Sequence, residues 1–237
     1  GTISPFALRG VLWYQGETDA DFYDPSVYDR MAMWHTETFK LLVAAWRTAW
    51  ENAALPVYFV QLPRLDRPSW PWFRESQLKC SQTISNTAMA VVFEHGDPAN
   101  VHPLNKQPVA YRLARIARAR TYGQDLEWSG PQLRSWRIEG SSIVLQFDHA
   151  EGGLVSSDGQ ALKLFTVAGA DRHFFPATAS SSNHSLIVSA PQVPQPVAAR
   201  YAWVPTGDIN FYNGAGLPAS PFRTDDWTIK DLENNTP

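Results

Sequence analysis

The chain has 237 residues, with 20 Lys and Arg against 23 Asp and Glu, so its formal net charge is −3. This balance gives no basic stripe for nucleic acid and no polybasic face for a membrane, so we expect neither as a partner. No apolar run approaches the roughly 18 residues needed to span a bilayer. A single cysteine, Cys80, excludes an internal disulfide framework and a cysteine-based zinc site.

The first 128 residues are predicted to form three strand-plus-helix units. The strands are continuous apolar runs bounded by Gly or Pro, and the helices carry apolar residues at three- and four-residue spacing. The predicted strands are 10–14, 56–63 and 87–94, and the predicted helices are 28–51, 72–85 and 105–123. Strands that are apolar on both faces and alternate with helices predict a parallel sheet covered on both sides.

Three strands are too few for a doubly wound sheet, which usually has about five. We therefore expect another polypeptide segment to complete this sheet. The first residue is Gly1, and an apolar strand follows within ten residues. This start favours a cut inside a larger protein, and an expression product trimmed at a tag is the alternative.

The pattern changes after Trp128. Short apolar or alternating stretches are separated by Gly, Ser, Asn and Pro every ten to fifteen residues, which is the spacing of an all-β region. The stretches are 143–147, 162–167, 184–188 and 198–203. Residues 1–128 are thus predicted to be part of an α/β domain, and residues 129–237 an all-β, sandwich-like domain.

Two loops of the α/β part carry residues that suit ester hydrolysis. Gln15 follows the first predicted strand and His102 follows the third, and the carboxyl ends of parallel strands meet at one edge of a sheet. Ester hydrolysis needs a nucleophile, a base to accept its proton and donors for the oxyanion. His102 suits the base and Gln15 the oxyanion donor.

Each of these signals has an ordinary structural alternative. A loop histidine such as His102 is commonly a surface residue, and a glutamine after a strand is commonly a local hydrogen-bonding group. Asp97 precedes a proline, so it is a turn former first and a candidate to orient His102 second. We predict Trp13 and Glu17 as substrate contacts, since flat rings stack on sugar faces, although Glu17 could instead bond backbone amides of its own loop.

Several longer motifs follow one another along the chain. They are Trp13-Tyr-Gln-Gly-Glu17, the run Arg74-Glu-Ser-Gln77, the segment 96–114, the segments 147–154 and 199–203, and the ending 210–227. Together they resemble the sialate O-acetylesterases, which are serine esterases with a flavodoxin-like SGNH-hydrolase fold. The resemblance covers nearly all of residues 5–228.

The resemblance implies a role for each matching residue. It makes Gln15 the oxyanion donor and His102 the catalytic base, with no metal or organic cofactor. The family's serine lies upstream of its WYQGE segment, in a part that has no counterpart here. The chain has no Gly-Asp-Ser, because its two Gly-Asp pairs run on to Pro98 and Ile209. The resemblance therefore implies a carboxyl-terminal half, with the serine on an amino-terminal half that is a separate chain or segment.

One position departs from the wider SGNH pattern. Many relatives have an aspartate three residues before the histidine, where this chain has Ala99. Asp97, a backbone carbonyl or, more remotely, Glu94 remains as the group that orients His102.

The sequence thus predicts a carbohydrate O-acetylesterase that releases acetate from acetylated sialic acid or another acetylated sugar. An acetylxylan esterase and a non-catalytic carbohydrate-binding protein are the alternatives. By resemblance alone, the protein is expected to be secreted, periplasmic or lysosomal.

Overall fold

The computed structural model describes residues 6–182 and 184–233, with the backbone alone for Glu233. The contacts divide the chain into two compact units, Gly1–Trp128 and Ser129–Pro237. Gly1, which supports the expectation of an internal start, lies outside the described residues.

The first unit alternates strands and helices. Its elements are β1 (Val11–Trp13), α1 (Glu17–Ala20), α2 (Tyr28–Ala49), β2 (Val57–Val60), α3 (Trp70–Thr83), β3 (Thr87–Ala90) and α4 (Gln107–Arg120), with short 3-10 turns at Pro25–Val27 and Phe93–His95. In the ranges that the structure covers, no helix is long and apolar enough to cross a membrane.

The three strands form a parallel sheet in the order β1-β2-β3. Every residue of β2 and β3 is buried, because helices cover both faces. Residues of α2 and α3, such as Phe39 and Cys80, pack on one face with Phe59. Residues of α4, such as Leu113 and Ile116, pack on the other with Tyr58. The prediction of a parallel sheet with helices on both sides is confirmed.

The third strand is shorter than predicted, since it ends at Ala90 and not at Glu94. The apolar run continues through Val91, Val92 and Phe93, which are all buried. Phe93 belongs to a 3-10 turn, and its carbonyl accepts a hydrogen bond from the Arg64 N–H at 3.0 Å. These apolar residues therefore pack beneath a loop, which a hydropathy pattern cannot distinguish from a strand.

The second unit is built from antiparallel sheets, and α5 follows its last strand. Its elements are β4 (Gln132–Glu139), β5 (Ser142–Asp148), β6 (Leu154–Ser156), β7 (Phe165–Ala168), β8 (Phe174–Pro176), β9 (Thr178–Ser182), β10 (Ser185–Ser189), β11 (Ala198–Tyr201), β12 (Phe211–Asn213), β13 (Phe222–Arg223) and α5 (Ile229–Glu233). The sheet orders are β4-β5-β10-β9, β13-β11-β7-β8 and β12-β6.

Aromatic rings join the sheets of this unit. Phe147 of β5 lies 5.2 Å from Phe211 and 5.7 Å from Phe222, measured between ring centroids. Phe165 of β7 lies 5.8 Å from Phe211 of β12. Rings in such edge-to-face and tilted contacts supply much of the buried apolar area of a small core.

Candidate active site

The loops that follow the three parallel strands meet at one edge of the sheet, as parallel topology requires. Glu17 of the first loop, Leu65 of the second and Asn100 of the third line the same small concavity. The Lys106 ammonium, beyond the third loop, lies 3.5 Å from the Tyr14 hydroxyl and 4.5 Å from its ring centroid. The structure thus brings the loop of Gln15 and the loop of His102 to the same edge.

The second and third loops are tied by backbone contacts. Arg64 Nε donates to the Gly96 carbonyl at 3.0 Å, and the Asp66 N–H donates to the Pro98 carbonyl at 2.9 Å. A Cβ at Gly96 would lie 2.2 Å from the Arg64 carbonyl oxygen, so only glycine permits this approach. The start of the loop that carries His102 is therefore held in place.

The Gln15 side chain is oriented by a residue of α1, the short helix that follows its loop. Its Nε2 donates to Asp19 Oδ2 at 2.8 Å. A carboxylate only accepts hydrogen bonds, so the amide nitrogen of Gln15, and not its oxygen, must face Asp19. The nitrogen carries two hydrogens, and the contact with Asp19 uses one of them. The arrangement fits a donor that is fixed in direction and retains a second N–H.

Gly16 allows this loop to turn against the helices behind the sheet. Its φ is +144°, and a Cβ there would lie 2.6 Å from the ring of Phe73, which is fully buried. The glycine of the WYQGE motif is therefore required for both conformation and space.

Replacing Gly16 with alanine is expected to lower the free energy of unfolding by about 3 kcal/mol, from backbone strain together with overpacking against Phe73. Gly140 is the matched control, because it also has a positive φ of +59° but a Cβ there meets nothing within 4 Å. Gly140→Ala is expected to cost about 1 kcal/mol. Urea unfolding followed by tryptophan fluorescence measures both, and equal losses would contradict the steric role of Gly16.

The loop around His102 is shaped by two successive side-chain turns. Asp97 Oδ1 accepts the Ala99 N–H at 2.8 Å, and Asn100 Oδ1 accepts the His102 N–H at 2.9 Å. The His102 side chain is exposed. Within the described residues no hydrogen bond joins Asp97 to the His102 ring, so the role of Asp97 as its orienting group stays a prediction.

Glu94 is engaged on the α4 side of the loop. Its Oε1 accepts from Arg112 Nη2 at 2.5 Å and lies 3.3 Å from His95 Nε2. Burial lowers the pKa of His95 below its usual value, although Glu94 acts in the opposite direction. Glu94 thus contacts both Arg112 and His95.

Arg74 and Gln77 hold the carboxyl end of β2. Arg74 is fully buried, and it donates from Nε to the Leu62 carbonyl at 2.9 Å and from Nη2 to the Pro63 carbonyl at 3.0 Å. Gln77 Oε1 accepts the Leu62 N–H at 2.8 Å. Burial lowers the pKa of Arg74 to about 9. The structural role of Arg74 is not predictable from the sequence, because the residue type does not show whether an arginine is buried or exposed.

The two predicted substrate contacts have structural partners. The Trp13 ring packs edge-on against Trp46 of α2, with centroids 5.2 Å apart. Glu17 begins α1, and its charge adds to burial in raising the pKa of Tyr14 to about 12. Contact of Trp13 and Glu17 with a substrate remains a prediction.

One serine does contact a histidine, but away from the loop edge. Ser76 Oγ lies 2.8 Å from His35 Nδ1, and the same hydroxyl donates to the Phe73 carbonyl at 2.7 Å. Because a serine hydroxyl has one hydrogen, His35 must be the donor in their contact. Both side chains are buried between α2 and α3, so Ser76 is not positioned as a nucleophile.

His35 is expected to make the fold sensitive to acid. Burial lowers its pKa from 6.5 to about 4. Above pH 6.5 the imidazole of His35 is neutral in both the folded and the unfolded chain. As the pH falls towards 4 the unfolded chain binds a proton that the folded chain excludes, and about 3 kcal/mol of stability is lost. Urea unfolding at about pH 7.5 and about pH 4 measures this loss.

His35→Asn, which retains a donor to Ser76, should remove most of that loss. A variant with the same acid dependence as the natural chain would contradict the assignment to His35.

Among the side chains that the structure describes, no cluster of three or more His, Cys, Asp or Glu could hold a metal ion.

The known proteins that this chain resembles are named as esterases that remove acetyl groups. Residues 2–109 match the family model described as carbohydrate esterase, sialic acid-specific acetylesterase. The sialate O-acetylesterase of Mus musculus is 29% identical over 93% of this chain and 45% of its own length. That of Homo sapiens is 28% identical over 91% of this chain and 45% of its own.

A solved structure extends the comparison to the fold. The crystal structure of a carbohydrate acetylesterase from Xanthomonas citri aligns with a TM-score of 0.86 and 36% identity, covering 95% of this chain and 52% of that one. The chain thus spans less than half the length of the curated relatives cited and about half of this structure.

The matched family model is described as a carbohydrate esterase and the solved structure as a carbohydrate acetylesterase, and this chain is similar to both. The curated relatives cited are sialate O-acetylesterases, so the resemblance carried by the sequence motifs is confirmed.

Proposed function

We propose that this chain is the carboxyl-terminal part of a serine-type carbohydrate O-acetylesterase with a flavodoxin-like SGNH fold. The observation that carries the proposal is the meeting of two loops at one edge of the parallel sheet, one with Gln15 and the other with His102. Motifs that match the sialate O-acetylesterases supply both residues.

In the proposed reaction, a serine from the amino-terminal part of the enzyme attacks the carbonyl carbon of an acetyl ester. His102 accepts the serine proton as the new C–O bond forms, and Gln15 Nε2 donates to the oxygen that becomes negative. His102 then returns the proton to the sugar oxygen as the ester bond breaks. Water, deprotonated by His102, then attacks the acyl carbonyl, and acetate leaves as the bond to the serine oxygen breaks and His102 returns the proton to that oxygen.

The observed contacts suit these roles. Asp19 fixes the Gln15 amide at 2.8 Å, so the oxyanion donor needs little reorganisation during the reaction. His102 is exposed in the described chain, where an incoming serine can reach it. Asp97 Oδ1 accepts the Ala99 N–H, and the carboxylate retains acceptor capacity with which to orient the imidazole of His102.

The proposed substrates are acetylated sialic acid or another acetylated sugar, by analogy with the names of the relatives. Acetylxylan is the alternative within the same chemistry, since the residues of this half do not fix the leaving group. A secreted, periplasmic or lysosomal location is proposed on the same analogy.

The proposal is tested by measuring acetate released from O-acetylated sialic acid and from acetylated xylan. The complete gene product is compared with the 237-residue chain. We expect hydrolysis of at least one substrate by the complete product and none by the chain alone, because the chain lacks the nucleophile. Sugar binding without acetate release would overturn the proposal in favour of a carbohydrate-binding protein.

A further inference from the structure

The small concavity at the loop edge lies beside both proposed reacting side chains. Glu17, which lines it, is two residues from Gln15. Val101, which also lines it, is the middle residue of the turn in which Asn100 Oδ1 accepts the His102 N–H at 2.9 Å. In the proposed reaction the ester carbonyl carbon lies between Gln15 and His102, and the acyl chain begins about 1.5 Å from that carbon. The concavity is therefore placed to receive the first carbon of the acyl chain.

The inner lining of the concavity is apolar. Pro63, Leu65 and Trp70 line it and are buried, and Val101 is half-buried. The Trp70 indole N–H donates to the Pro63 carbonyl at 3.0 Å, so the one polar group of this ring is already bound to the backbone. A water held here would need two to four hydrogen-bond partners, which apolar side chains do not supply. This environment favours an alkyl group.

The size of the concavity restricts which alkyl group can enter. Its volume is about 10 Å³, which is roughly the room for one water-sized group. A methyl group is the alkyl group nearest to that size. Each further methylene of a propionyl or butyryl chain would have to displace the residues that line the concavity.

Backbone hydrogen bonds fix the wall that Leu65 provides. The residue before it, Arg64, donates its N–H to the Phe93 carbonyl at 3.0 Å, and the residue after it, Asp66, donates its N–H to the Pro98 carbonyl at 2.9 Å. Leu65 itself is 4% exposed. A wall that is packed and tethered on both sides yields little to a larger group.

We propose that the concavity receives the methyl group of the acetyl ester and limits the acyl group to two carbons. Leu65 and Val101 are then the residues that determine the accepted acyl-chain length. The inference rests on the proposed function, because it specifies which acyl group the same site accepts.

Hydrolysis of p-nitrophenyl acetate, propionate and butyrate tests the inference, since these esters share a leaving group and differ only in the acyl chain. For the complete gene product, kcat/KM is expected to fall at least about tenfold with each added methylene. Comparable values for acetate and butyrate would overturn the inference and leave the proposed function standing. Failure to release acetate from both the acetylated sugars and p-nitrophenyl acetate would refute the proposed function, and the inference with it.

Variants that enlarge the concavity should relax this selectivity. In Val101→Ala and in Leu65→Ala, the ratio of kcat/KM for propionate to that for acetate is expected to rise about tenfold, because each change removes methyl groups that a longer acyl chain would meet. Both esters are measured on one preparation, so the ratio does not depend on how much of a variant is folded or on any general loss of activity.

Val155→Ala is the matched control for loss of two methyl groups from a valine. Val155 is 39% exposed on β6 of the second unit and does not line the concavity. Its ratio of propionate to acetate hydrolysis should equal that of the natural enzyme. A ratio that stays unchanged in both Val101→Ala and Leu65→Ala would overturn the inference, because the acyl chain would then lie elsewhere.

Discussion

Replacing His102 with alanine in the complete gene product is expected to lower kcat/KM for acetyl-ester hydrolysis by about 10³-fold, within the 10²- to 10⁴-fold range of general acid–base catalysis. The loss should fall mainly on kcat, because His102 moves a proton in the transition state and contributes little to binding the ground state. Acetate release under initial-rate conditions measures it.

His95→Ala is the matched control. His95 precedes the same loop and contacts Glu94. We expect its activity to remain within about threefold of the natural enzyme, since its removal breaks one partly exposed contact with Glu94. Undiminished activity of the His102 variant would refute its assignment as the base.

Replacing Gln15 with alanine is expected to reduce kcat by about 10²- to 10³-fold, with a small change in KM, because an oxyanion donor acts on charge that develops in the transition state. Gln124→Ala is the control for loss of a glutamine, as Gln124 is exposed and accepts from Arg118 Nε at 2.7 Å.

Asp19→Asn should give a smaller loss, of about tenfold, since an amide can accept the Gln15 hydrogen but holds it less firmly than a carboxylate. A Gln15 variant that raises KM alone would contradict the oxyanion role and indicate a substrate contact instead.

The sheet of the first unit could be predicted because its strands are apolar on both faces. Val57–Val60 and Thr87–Ala90 lie within the predicted ranges, and the helices Tyr28–Ala49 and Gln107–Arg120 lie within theirs. Helix α3 begins at Trp70, two residues before the prediction, because Trp70 and Pro71 form its first turn. Proline occurs both in the first turn of helices and in loops, so Pro71 alone does not determine where α3 begins.

In the second unit, hydropathy patterns predict the inner strands but not the edge strand β4. β5, β7, β10 and β11 coincide with predicted stretches because their inward residues are apolar and buried. Gln132–Glu139 was missed, since six of its eight residues are exposed and several are charged. Its strand conformation depends on pairing with β5, which the local sequence does not reveal.

The sequence predicts where the residues of the candidate site lie in the fold, but it does not predict their hydrogen-bond partners. Topology alone places Gln15 and His102 at one edge, and the WYQGE motif marks the first loop. The contact of Gln15 with Asp19 and that of Asp97 with the Ala99 N–H depend on loop conformation, which side-chain spacing does not determine. The buried Arg74 could not be anticipated either, because its partners are backbone carbonyls whose position follows only from the folded chain.

Labelling the complete gene product with a fluorophosphonate and mapping the modified peptide tests the central claim most directly. The account predicts one reactive serine outside the 237 residues of this chain, with labelling lost in the His102→Ala variant. A label on Ser76 or another serine within this chain, or hydrolysis that persists without any labelled serine, would contradict it.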